Sequence, residues 1–193
     1  MAFDILPSHA DRFRLHPVEP RHAALFCFAL LTAACALASF ALACATPFAA
    51  FAVVAAAMLR LAPALLVVSG AWLVNQTIGF GALHYPVDVG TIAWGFVIGG
   101  AALVATAVSS AVLGVLPQNR RPLVLALTLV CAYAAYELAL FAATPFLGGQ
   151  MAFTAAIVTR LGLLSAVWLA GLVAACEIVR LINPFGRGRA IST

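Results

Sequence analysis

Six side chains in this 193-residue chain combine polarity with a strongly apolar neighbourhood: Asn75, Gln76, His84, Tyr133, Glu137 and Arg160. Two amides, an imidazole, a phenol, an acid and a guanidinium can hold a polar solute by hydrogen bonds and charge. The set contains no nucleophile beside a base, and Asp4, Asp11 and Asp88 all fall in terminal or loop stretches. Binding is therefore the chemistry on offer, and no enzymatic activity is expected. No metal or cofactor is expected either, because ligand spacing is missing and His84 is the only histidine outside the amino-terminal tail, against bis-histidine haem ligation.

The elements that position these groups follow from composition. Apolar residues make up 65% of the chain and charged ones 8%, whereas soluble domains carry about 25% charge. So little charge cannot solvate a globule of this length, and a lipid-facing exterior removes the need. Disorder and nucleic-acid binding are excluded with the soluble fold, since both require many more charges. A small secreted disulfide scaffold is excluded as well. Cys27, Cys35, Cys44, Cys131 and Cys176 lie in apolar stretches without ligand spacing and read as small buried hydrophobes. The predicted fold is an all-α polytopic membrane bundle.

A spanning helix needs about 20 apolar residues. That ruler predicts spans near 23–45, 48–61, 63–82, 90–115, 123–143 and 151–182, after a tail at 1–22 and before one at 183–193. The tail at 1–22 is too long and too mixed in charge for a secretory leader. Stretch 48–80 is long for one crossing and short for two. Charge arbitrates, since Lys and Arg in short flanking loops favour the cytoplasm. Arg12, Arg14 and Arg21, then Arg120 and Arg121, then Arg187 and Arg189 form three clusters. All lie on one side only if 48–80 crosses twice, turning near Arg60 and Pro63, which gives six helices with both termini cytoplasmic. The alternative is five spans plus a re-entrant segment. The localisation expected is a bacterial-type inner membrane.

At about 1.5 Å per residue, Glu137 lies roughly 10 Å below Thr144, Arg160 roughly 13 Å below Met151, and Asn75 and Gln76 roughly 12 to 14 Å below His84. The four are expected in one layer of the outer half, with Tyr133 one turn from Glu137 and Tyr136 beside it. Glu137 and Arg160 read in two ways: a structural ion pair between neighbouring helices, or a site that also reaches a solute. The segment 75–94, NQTIGFGALHYPVDVGTIAW, reads as a cap over a cavity or as an interfacial loop anchored by Tyr85 and Trp94. Glu177 and Arg180 are expected to pair at the inner end of the last helix. Positions 41–48 (ALACATPF) and 139–146 (ALFAATPF) agree at six of eight residues, which raises an internal duplication with both TPF turns on the outer side.

Small-xxx-small pairs, Ala34 with Ala38, Ala41 with Ala45 and Gly95 with Gly99, offer close helix packing. With six spans, cytoplasmic ends and these AxxxA pairs on the first helix, the plan resembles the substrate-capture S component of energy-coupling-factor vitamin transporters. The resemblance implies a vitamin-like or cofactor-like ligand in the outer half, and coupling subunits that dock on the first helix. No Walker motif occurs in the sequence, so energy is expected from partners. The other function considered is a non-catalytic membrane scaffold or assembly factor, with the lipid bilayer and other membrane helices as partners and no nucleic acid.

Overall fold

The structure is a computed structural model and describes residues 15, 17–42, 45–117 and 120–182. Among these residues six α-helices follow one another: α1 Ala23–Leu42, α2 Phe48–Met58, α3 Leu61–Thr77, α4 Val89–Val115, α5 Arg121–Leu147 and α6 Ala155–Ile182. A π-helical turn, Ile78–Ala82, extends α3, and a 3-10 turn, Gln150–Phe153, precedes α6. Among the described residues all regular structure is helical. Five of the helices are long and apolar enough to cross a membrane, and α2, at 11 residues, is shorter.

Side-chain contacts fix the directions. Cys35 Sγ meets Ala71 O at 3.1 Å and Asn75 Nδ2 meets Ser39 Oγ at 2.9 Å, both at a sequence offset of 36, so α1 and α3 run parallel. The chain must therefore return between them, and α2 is that return. On this pairing α3 starts at the level where α1 starts, so α2 is a short pass through the bundle and not a re-entrant loop. Gly95 lies against Gln76 and Gly99 against Trp72, whose Nε1 also donates to Gly95 O at 2.8 Å, so α4 runs antiparallel to α3. Phe141 meets Phe153 just ahead of α6, while Tyr133, about two turns earlier on α5, donates to Val158 O and packs on Gly162, so α6 runs antiparallel to α5. The end carrying residues 45–47, 83–88 and 148–154 is called the upper end below.

The core is α2 itself. Every residue from Phe48 to Met58 is buried, none more than 7% exposed, and α2 touches each of the other five helices. Its sequence, FAAFAVVAAAM, is apolar on every face, as a fully enclosed helix requires. The small Ala and Val side chains let five longer helices close around it, and the larger Phe48 and Phe51 rings stack edge to face at 5.8 Å near its upper end. Leu15 caps its lower end, donating its backbone N–H to Ala57 O at 2.8 Å, so a freed helix-terminal carbonyl is satisfied inside the bundle.

Several boundaries differ from the sequence reading for identifiable reasons. Helix α5 runs on to Leu147 through Pro145. Proline supplies no N–H to the Phe141 carbonyl four residues back, and the Thr144 hydroxyl takes that carbonyl instead at 2.8 Å. The two TPF sequences thus differ in structure: Pro47 precedes α2 as its N-cap, while Pro145 sits within the last turn of α5. Thr144 is buried and Phe146 exposed, whereas Thr46 and Phe48 are both buried. Cys131 is exposed, unlike Cys27, Cys35 and Cys176. Residues Cys44, Arg12, Arg14, Arg187 and Arg189 lie outside the described residues.

Candidate functional site

The upper half of the bundle holds two polar groupings joined at Thr46. In the first, Asn75 projects from the last turns of α3 toward α1. Both protons of its amide nitrogen are committed, one to Ser39 Oγ at 2.9 Å and one to Thr46 Oγ1 at 3.0 Å. Its carbonyl oxygen accepts from Gln76 Nε2 at 3.1 Å. Asn75 therefore ties α3 to α1 and to the α1–α2 connection, and has little hydrogen-bonding capacity left for a solute. Gln76 turns its other amide atom toward α4, where a Cβ on Gly95 would meet Gln76 Oε1 at 2.5 Å.

The second grouping surrounds a cavity of about 130 Å3 among α2, α5 and α6, roofed by residues 45–47 and the 3-10 turn. Glu137, Tyr133 and Tyr136 enter it from α5, Phe48 from α2, Ser165 from α6 and Phe153 from the roof, and Thr46 lines its rim. The spacing explains the cluster: residues 133, 136 and 137 share one face of a helix at intervals of three and four. Tyr136 is 9% exposed and Glu137 half-buried. The Tyr133 hydroxyl donates to Val158 O at 2.6 Å and also lies within reach of the Glu137 carboxyl. Among the described residues, Glu137 is the sole charged side chain in the lining.

The structure places Arg160 elsewhere, and the expected contact between Glu137 and Arg160 is corrected. Val158 and Gly162 are the α6 residues that meet Tyr133. At about 100° per residue, position 160 points some 160° to 200° away from them. Arg160 is exposed on the far side of α6. The ion pairs among the described residues are Arg21 and His22 with Glu19, and Arg180 with Glu177 at 2.6 Å, the last as the sequence leads one to expect.

His84 also stands apart. It is exposed in the connection between α3 and α4, at φ 55°, in the left-handed region that few non-glycine residues adopt. Tyr85, beside it, folds back over Gly79 and meets Phe80 edge to face at 6.2 Å. Asp88 then caps α4, accepting from Thr91 N at 3.0 Å and Thr91 Oγ1 at 2.7 Å. These two hydrogen bonds hold its carboxyl below the usual carboxylate range. The 83–88 connection thus reads as an ordered interfacial turn, and none of its residues lines the cavity.

Of the six residues singled out by sequence, Tyr133 and Glu137 meet in the cavity, Asn75 reaches its rim through Thr46, and Gln76 follows Asn75. His84 and Arg160 do not join them. Sequence reasoning did not pick out Thr46, Phe48, Phe153 or Ser165. The repeated TPF was the one available signal for the first two. The chain was compared with family models, curated proteins and solved structures, and it matches none of them.

Proposed function

We propose that this protein is the solute-binding component of a membrane transport system, and that it holds a small organic cation at Glu137. The observation that carries this reading is the composition of the cavity. One carboxyl group stands among Tyr133, Tyr136, Phe48 and Phe153, and among the described residues no cationic side chain lines the same space. A half-buried carboxylate gains from a counter-charge, and aromatic faces attract cations by about 0.5 to 2 kcal/mol, rising as water is excluded. A scaffold has no use for such a chamber and is better served by a solid interior.

Volume narrows the ligand. About 130 Å3 is well below the roughly 300 to 1,000 Å3 of pockets that enclose drug-sized molecules. A vitamin-sized solute needs the roof at 45–47 and Gln150–Phe153 to open, whereas a compact ammonium of a few heavy atoms fits the closed form. The upper end is proposed to face the cell exterior, with partner subunits supplying energy.

The test uses the full chain, purified in detergent, and titrates it calorimetrically with tetramethylammonium and with the neutral, similarly shaped tert-butanol. Binding of the cation alone, weakened at least about tenfold in Glu137→Gln, is the expected result. Equal binding of both solutes, or none of either, overturns the cation reading.

A further inference from the structure

Arg160 and an apolar groove lie on the same face of α6, and together they describe a second site. No Cα of α1 comes within 8 Å of one of α6. The gap between the two helices is a groove of about 390 Å3, walled by Leu30, Ala33 and Leu37 of α1 and by Val167, Trp168 and Gly171 of α6. Its floor is the Trp168 ring, which rests edge to face on Phe51 of α2 at 6.2 Å. The α6 wall lines up with Arg160 by helical spacing, since 160, 164, 167 and 171 follow the i, i+4, i+7, i+11 pattern of a single stripe. Arg160 stands about 10 Å above Val167 along the axis, at the upper end of that stripe.

We infer that this groove seats a phospholipid of the leaflet at the upper end, with one acyl chain lying between α1 and α6 and its phosphate held by Arg160. One observation and two physical arguments carry the assignment. Arg160 is exposed and has no ion-pair or hydrogen-bond partner among the described residues. A guanidinium about five residues, some 7 Å, into the helix reaches the headgroup level by extending its stem along apolar surface. Guanidinium and phosphate match in charge and in forked geometry.

The groove walls run about 10 Å along α1 from Leu30 to Leu37, and the Leu, Ala, Val, Trp and Gly residues that line them present an apolar surface that suits an acyl chain. The small residues Ala33 and Gly171 keep the groove deep, and a Cβ built on Gly171 meets nothing within 4 Å, so the space there is open.

The experiment is native mass spectrometry of the full chain, delipidated in detergent and then supplied with phosphatidylglycerol, with diacylglycerol of the same acyl chains, or with glycerol 3-phosphate. One phosphatidylglycerol retained per chain is the expected result, with diacylglycerol and glycerol 3-phosphate each retained at least about tenfold less. Arg160→Gln is expected to lower phosphatidylglycerol retention by the same factor. Gly171→Leu, which fills the groove without touching the charge, is expected to lower it independently. Equal retention of phosphatidylglycerol and diacylglycerol, with no effect of Arg160→Gln, overturns the phosphate contact. Tight binding of glycerol 3-phosphate alone overturns the role of the groove. If Arg160→Gln leaves lipid retention intact but disperses an oligomer of the wild-type chain, the face is a helix interface and the lipid assignment fails.

Discussion

Tyr133 and Arg160 stand at the same height on neighbouring helices and are separated by the body of α6. The Tyr133 hydroxyl is bonded to Val158 O and its ring is against Gly162, so the residue midway between those two is turned outward. Glu137 and Arg160 therefore face different surroundings: Glu137 an aromatic chamber, Arg160 the outside of the bundle.

Energetic independence of Glu137 and Arg160 follows directly. Partners in an intramembrane ion pair couple strongly, and breaking such a pair strands a charge. Here Glu137→Gln and Arg160→Gln are expected to act additively, with a coupling below about 0.5 kcal/mol in a double-mutant cycle. Thermal unfolding of the two single variants and the double variant in detergent measures it. A coupling of 1 kcal/mol or more would mean that the two charges meet after all.

Asn75 carries a structural prediction of its own. Asn75→Leu removes the bonds to Ser39 and Thr46 and leaves both hydroxyls without that donor. Interhelical hydrogen bonds in membranes are worth about 0.6 kcal/mol each on average and up to about 1.7. The loss is expected to be about 1 to 3 kcal/mol in an unfolding titration. Because Thr46 also lines the cavity rim, Asn75→Leu should weaken solute binding indirectly, and a Thr46→Ala variant should reproduce that binding defect with a smaller loss of stability.

How much of this was legible in the sequence depends on the kind of signal. Composition and apolar length set the helical bundle, because 20-residue apolar runs have few other options. The cluster of Tyr133, Tyr136 and Glu137 was legible from spacing within one helix. The partner of Glu137 was not, because depth along a helix says nothing about azimuth. Arg160 sits near the anticipated depth and on the opposite side, and fixing azimuth requires knowing that Val158 and Gly162 face α5. The same limit hid the role of α2. The charge clusters favour a short second crossing over a re-entrant piece, and the parallel pairing of α1 with α3 accounts for it as a return pass, but residue spacing alone does not place α2 at the enclosed centre of the bundle.

Three glycines on α4 separate close packing from mere flexibility. A Cβ on Gly99 would lie 2.7 Å from Trp72 Cε2, in an indole pinned by its bond to Gly95 O. The ring cannot retreat without breaking that bond, so Gly99→Ala is expected to cost about 1 to 3 kcal/mol. At Gly95 the near atom is the end of the flexible Gln76 side chain, and the Ala variant should cost less. Gly100 faces open space, and Gly100→Ala should be neutral or stabilising by up to about 1 kcal/mol through the helix interior alone. Unfolding temperatures of the three variants in one detergent give the ranking, and a Gly99 variant as stable as the Gly100 variant would refute the packing of Trp72.

Asp88 supplies the pH dependence. Its hydrogen bonds from Thr91 favour the charged carboxylate in the folded chain, so its folded value is lower than the ordinary 3.8. A group with a depressed folded value binds fewer protons folded than unfolded, and stability rises with pH across that interval. The cap's contribution is therefore complete above the ordinary carboxylate value and fades as pH falls through the lower folded one. An aspartate at this position also suits the amino-terminal end of α4, where the helix dipole favours negative charge. Asp88→Ala should lower the unfolding temperature at pH 6, and the gap between variant and wild type should narrow toward pH 3. A gap that stays constant across the range would show that the carboxylate's charge contributes nothing to the start of α4.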